Sequence, residues 1–94
     1  MPNDYYTYIM ASESGTLYIG MTNDIERRVS EHKNDINECF TKRYQWHKLV
    51  HYEVFDNPTD AIAREKQIKR WRRDKKEILI SMDNPGWKDL AEGF

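Results

Sequence analysis

The 94-residue sequence predicts an α+β domain, a small three-stranded antiparallel sheet flanked by helices in the order ββα-β-αα. Three observations predict it. Two runs of aromatic and branched residues, Tyr5 to Ala11 and Leu17 to Met21, are separated by Ser-Glu-Ser-Gly. A third such run, KLVHYEVF at 48–55, stands apart from them. Charge-rich segments with helical spacing and capping residues fill most of the remainder. A chain of this length makes a single domain, residues 1–94, and buries only about 60–65% of the surface its unfolded form exposes.

The first two runs read as a hairpin. A three-residue loop, Glu13-Ser14-Gly15, with Gly15 in the left-handed region, sets Ser12 opposite Thr16, Met10 opposite Tyr18 and Tyr8 opposite Gly20. Since side chains alternate, Tyr6, Tyr8 and Met10 then share a face with Thr16, Tyr18 and Gly20. A slip of one residue would send the tyrosines to opposite faces. Thr22 or Asn23 caps a helix running from Asp24 to about Asp35, with Asp24 and Glu26 in the first turn, where the helix dipole favours them. Ile25, Val29, His32 and Ile36 form its apolar stripe, and Arg28 lies at the stripe's edge.

Residues 36–47 read as a loop and 48–55 as the third strand. Asn57-Pro58-Thr59-Asp60 opens a second helix that runs to about Arg73. Asp74 to Met82 is a short third helix, stopped by Asn84-Pro85-Gly86. Trp87, Leu90 and Phe94 either fold the tail back on the domain or meet another subunit, as in a homodimer or with a protein partner.

The net charge of −1 conceals a dipole. Residues 1–41 carry −4 and 42–63 are neutral. From Arg64 to Lys76 eight bases face two acids, giving +6, and the last stretch carries −3. A basic run is either a solvated helix face or a phosphate-binding surface. The loop sequence FTKRYQWHK, residues 40–48, mixes cations with Phe40, Tyr44 and Trp46, a composition suited to phosphate contact and base stacking; Trp46 alone reads as an anchor for the loop. Lys42, Arg43, Lys69, Arg72 and Arg73 are the candidate nucleic-acid contacts. The single cysteine, Cys39, allows neither an internal disulfide nor a cysteine metal cage, which predicts a reducing, cytoplasmic setting. No apolar run is long enough for a membrane span, and the N-terminus has no secretion signal.

One residue breaks the helical pattern. Ala61, Glu65, Ile68 and Arg72 fall on one side of the second helix, so a carboxylate interrupts the stripe facing the sheet. An unpaired buried carboxylate costs several kcal/mol, so Glu65 needs either an arginine such as Arg28 or Arg72, or a divalent cation. Glu53 on the third strand is a second candidate ligand or, as the favoured reading, an exposed strand residue.

Several of these residues form an ordered pattern. Tyr6-Thr7-Tyr8, Tyr18-Ile19-Gly20, Arg28, His32, Glu65 in AREKQIK and Asn84 together resemble the GIY-YIG nuclease family, in particular its compact stand-alone bacterial branch, across nearly the whole chain. That family includes the nuclease domains of the excision-repair incision subunit and of homing endonucleases. The resemblance implies hydrolysis of a phosphodiester with one divalent ion, magnesium or manganese. By position it makes Tyr8 and Tyr18 the motif tyrosines, Arg28 the phosphate-binding arginine and Glu65 the metal ligand. His32 becomes a proton-handling residue, and Asn84 corresponds to an asparagine late in the domain and joins the nucleic-acid contacts. The expected activity is that of a metal-dependent endonuclease, on DNA in preference to RNA, structure-selective in repair or recombination because no second domain supplies a sequence code. Met21 stands where several active members carry lysine. The alternative is therefore a nucleic-acid-binding module of the same fold that hydrolyses slowly or not at all.

Overall fold

Gly15 has a φ of 88°, the left-handed conformation that closes the hairpin, and Ser12 and Thr16 face each other through a 3.0 Å backbone hydrogen bond. The computed structural model describes residues 4–12, 15–33 and 46–92, without the side chains of residues 32, 33, 46 and 47. Strands β1 (Tyr5–Ser12) and β2 (Leu17–Thr22) pair antiparallel with Met10 opposite Tyr18 and Tyr8 opposite Gly20, the expected register. Strand β3 (Trp46–Phe55) begins two residues earlier than expected and pairs with the other side of β1, giving the order β2-β1-β3. The sheet with the three helices found among the described residues is the α+β architecture the sequence predicts.

Helix α1 (Ile25–Lys33) starts one residue later than expected, because its cap is Asp24 rather than Thr22 or Asn23: Asp24 Oδ1 accepts from Arg27 N at 3.2 Å. Thr22 braces that cap, its hydroxyl accepting from Asp24 N at 3.1 Å. Helix α2 (Pro58–Arg70) is capped by Asn57, which accepts from Asp60 N at 2.9 Å. It ends at Arg70, three residues short of expectation, with Trp71 as its C-cap, and α3 (Arg73–Asp83) follows at once. No proline or glycine marks that break. The Trp71 ring packs on the core with Arg64 and Lys75 stacked on it at 5.0 and 4.4 Å, and its extended backbone (ψ 151°) turns the chain.

The sheet carries a separate core on each face. On one, Tyr8, Met10 and Leu49 pack with Ile25 and Val29 of α1 and with Ala91 of the tail. On the other, Ile9, Ala11, Ile19 and Val50 pack with Ile68 of α2 and Ile80 of α3. A bulge in β3 makes this possible: Ile9 pairs with His51 and Met10 with Leu49, so Val50 is the extra residue and joins the α2 face. Trp87 and Leu90 pack against the two cores, so the tail folds back on its own domain, and Leu49 exchanges hydrogen bonds with Asp89 Oδ1 and Leu90 N. Among the described residues no helix is long and apolar enough to cross a membrane.

Candidate active site

The α1 face of the sheet presents two phenols and a guanidinium. Tyr8 on β1 and Tyr18 on β2 lie with ring centroids 6.1 Å apart, and Arg28, one turn into α1, donates from Nε to Tyr8 Oη at 3.2 Å. Its Nη1 donates to Glu31 Oε1, also at 3.2 Å. Glu31 was absent from the sequence-level expectations, although its i+3 spacing from Arg28 on a helix is a readable signal. With a further hydrogen bond to the Tyr18 phenol, these engage three of the five N–H donors of a guanidinium, so Arg28 is held in place and keeps donors for an oxyanion.

The glycine of Tyr18-Ile19-Gly20 has a packing role. A Cβ at Gly20 would lie 2.6 Å from Tyr8 Oη, closer than real side chains approach, and in tight contact with Tyr18 Cε1 at 3.0 Å. The missing side chain is the space that the Tyr8 hydroxyl occupies beside Arg28. The two phenols therefore differ. Tyr8 is wholly buried, and burial pushes its phenol above the ordinary value, with the Arg28 hydrogen bond only partly opposing it. Tyr18, half-buried on the edge strand, is the more accessible of the two. In return the Tyr8 hydrogen bond raises the Arg28 pKa above its ordinary value, outweighing partial burial, so the cation is permanent.

Glu65 approaches from the opposite face. Helix α2 is fastened to β1 by the Thr7 hydroxyl, which donates to Ala61 O at 2.7 Å. Arg64 reaches β3, where it binds Glu53. Successive helix residues are about 100° apart, so Glu65, on the other side of the inward-facing Ala61 and Ile68, occupies the flank of α2 over β2. Its carboxylate pairs with Lys69 Nζ at 3.1 Å, not with either arginine expected as its partner. The phenols and Glu65 thus lie on opposite faces of the sheet, which meet at the open edge of β2.

Glu53 is neither exposed nor a ligand of this site. It accepts from Arg64 Nε at 2.9 Å and Nη2 at 3.2 Å, and lies 2.8 Å from Nε2 of buried His51. The His51 hydrogen bond, with the Arg64 hydrogen bond and charge, holds its carboxyl down at about 2 against the opposing effect of burial. The β3 bulge explains the difference: plain alternation from Leu49 would place Glu53 on the tyrosine face, and the extra residue moves it to the α2 face.

Asn84 also differs from expectation. It is buried, donating from Nδ2 to Val50 O at 3.1 Å and Lys88 O at 2.8 Å, and accepting from Lys88 N at 3.0 Å. Both amide hydrogens are used inside the chain, so this residue joins α3, β3 and the tail and has no donor for a phosphate. Of the cations, Arg72 is exposed, Lys69 is tied to Glu65, and Arg73 pairs with Glu77 at 2.7 Å. His32 belongs to α1, but its side chain, together with Lys42, Arg43 and residues 36–45 of the expected 36–47 loop, lies outside the described residues.

A cavity of about 350 Å³ opens beside this cluster, lined by Tyr5, Met21, Thr22, Asn23, Arg27, Arg28 and Glu31. The sequence did not suggest it, because Tyr5 and Met21 alternate toward the α2 face while Arg28 belongs to the α1 face. They meet only where β1 begins and β2 ends.

Comparison with known proteins agrees with this fold. The chain is 42% identical over 78 residues to a UPF0213 protein of Haloquadratum walsbyi, covering 82% of this chain and 88% of that one. It is 40% identical over 77 residues to a UPF0213 protein of Staphylococcus saprophyticus, covering 82% and 94%. The solution NMR structure of a UPF0213 protein from Bacillus halodurans superposes with a TM-score of 0.60 at 27% identity, over 96% of both chains. The GIY-YIG catalytic domain matches residues 4–77, a span that contains both tyrosine triplets, Arg28 and Glu65. The chain belongs to the GIY-YIG family.

Proposed function

We propose that this protein is a divalent-metal-dependent endonuclease that hydrolyses phosphodiester bonds in nucleic acid, DNA in preference to RNA, selecting its substrate by structure and serving repair or recombination in the cytoplasm. The observation that carries this reading is the Arg28 guanidinium, anchored by Tyr8 and Glu31 at the mouth of an open cavity with Tyr18 alongside. In phosphodiester hydrolysis a water oxygen bonds to phosphorus and gives up a proton to solvent, the bond to one ester oxygen breaks, and that oxygen takes a proton while charge builds on the non-bridging oxygens. Arg28 binds those oxygens with its remaining donors. Tyr18 orients the attacking water at the open edge. Tyr8, kept protonated by burial, positions the guanidinium instead of ionising. His32 delivers the proton to the leaving oxygen.

The residues present fit magnesium or manganese. Among the described residues no cluster of three or more histidine, cysteine or acidic side chains forms a closed cage, so an ion would have Glu65 as its protein ligand and take water and phosphate oxygens for the rest, the mode magnesium favours. Such an ion, when bound, supplies charge to the phosphoryl group and acidifies a bound water. Lys69 neutralises Glu65. The test is incubation with branched, single-stranded and duplex DNA and RNA, with and without magnesium. Cleavage that needs the ion and disappears in Glu65→Ala and Arg28→Ala supports the reading; undiminished cleavage by both variants removes it.

A further inference from the structure

We infer that the cavity beside Arg28 is a subsite for one unpaired nucleotide, the neighbour of the phosphate held by Arg28, with its base against Tyr5 and Met21. The inference rests on the nuclease reading and specifies what that site accepts. At about 350 Å³ the cavity is at the small end of the range for small-molecule sites, roughly 300–1,000 Å³, sufficient for a single nucleotide unit and too small for a base pair. Its walls divide by chemistry. One side offers the half-buried Tyr5 ring and the Met21 thioether, an aromatic and a polarisable surface of the kind on which bases stack. The other carries Arg28, whose planar fork matches phosphate oxygens, and the exposed Arg27, whose Nε lies 3.9 Å from Asp24 Oδ2.

Between them lies Asn23, exposed at the rim, whose amide offers both a donor and an acceptor to a base edge. Thr22 is excluded from that role, since its hydroxyl both accepts from Asp24 N and donates to Asp24 O. Glu31 repels phosphate where it stands, but it is engaged by Arg28, so the anion is directed toward the free side of the guanidinium. Met21 now has a role of its own. A lysine there would put a charge on the stacking wall, whereas methionine keeps it apolar.

The test is a pair of titrations, followed by nuclear magnetic resonance on protein labelled at the methionine methyls and side-chain amides: one with thymidine 5′-monophosphate, one with inorganic phosphate. The nucleotide should shift the Met21 methyl and the Asn23 amide and bind at least about tenfold more tightly than phosphate, stacking being the added contribution. Tyr5→Ala and Met21→Ala, each checked for an intact spectrum, should erase that preference and leave phosphate binding unchanged. Arg28→Ala should weaken both ligands. Equal affinity for the two ligands, no shift at Met21 or Asn23, or an unaltered preference in both wall variants would overturn the inference. Cleavage separates the two levels: wild type should cut a duplex containing one unpaired nucleotide at least about tenfold faster than its fully paired counterpart, and Met21→Ala should narrow that ratio. Equal cutting of both duplexes would sink the subsite alone. Failure to cut any nucleic acid in magnesium would sink the nuclease reading, while the titrations would still decide whether the cavity takes a nucleotide.

Discussion

Arg28 and Arg64 occupy opposite faces of one sheet and show how partners decide what an arginine does. Arg64 gives Nε and Nη2 to the carboxylate of Glu53 and Nη1 to Gln67 Oε1, and its plane stacks on Trp71. Its charge is paired with a carboxylate and all three of its nitrogens donate within the chain, so it holds β3 to α2. Arg28 gives Nε to a neutral phenol and Nη1 to Glu31, which is more than a third exposed. Solvent weakens that ion pair and the phenol cancels no charge, so Arg28 is oriented while its field remains available. The α2 face stores stability, and the α1 face holds an oriented, partly exposed cation.

Substituting the two arginines should separate these roles. Arg28→Ala should lower single-turnover cleavage by about 10²–10³-fold, the cost of one charge-stabilising donor, with little change in thermal unfolding. If Arg64→Ala lost as much cleavage, the contrast between the faces would fail. Gly20→Ala tests the same face without removing a charge. The added methyl meets Tyr8 Oη, so the ring must shift and Arg28 loses its anchor; cleavage should fall by about tenfold or more, and the Arg28 Nε–H resonance should move.

Arg64→Ala should instead cost stability, about 2 kcal/mol, because it leaves a partly buried carboxylate with His51 as its remaining partner; in a domain of this size that lowers Tm by about 8–16 °C, readable by calorimetry. The same pair predicts an acid limb. The Glu53 carboxyl is depressed in the folded state, so its contribution is fully present above its unfolded value, about 4.3, and is lost as pH falls toward 2. Stability should drop by on the order of 2 kcal/mol across that window, and Glu53→Gln should flatten this part of the curve. A Glu53→Gln curve with the wild-type slope would assign the limb to other carboxylates. The smallest effect concerns grip: with about four cations on phosphates, log affinity should fall against log salt with a slope of roughly −3 to −4, and by about one less in Arg72→Ala.

The site was partly legible in the sequence. Tyr8, Tyr18 and Arg28 could be brought together because a hairpin register and a helix phase are arithmetic once the turn and the cap are found. Glu65 was recognisable as an acid on an apolar stripe, but its neighbour was not, since an i+4 lysine and a distant arginine satisfy the same pattern. Asn84 illustrates the opposite error. As a residue type it suits both a phosphate contact and an internal clamp, and only the carbonyls of Val50 and Lys88 decide between them.

By itself the sequence determined what depends on near neighbours along the chain: the left-handed Gly15, the pairing of Tyr8 with Gly20, the Asn57 cap and the stop at Asn84. Backbone sterics and hydrogen bonds spanning a few residues suffice for these. The tertiary structure alone decided the Val50 bulge, the break at Trp71, the capture of Glu53 by Arg64 and the cavity where β1 and β2 end. Each depends on groups far apart in the chain whose burial must be satisfied together, and short-range preferences do not contain that condition.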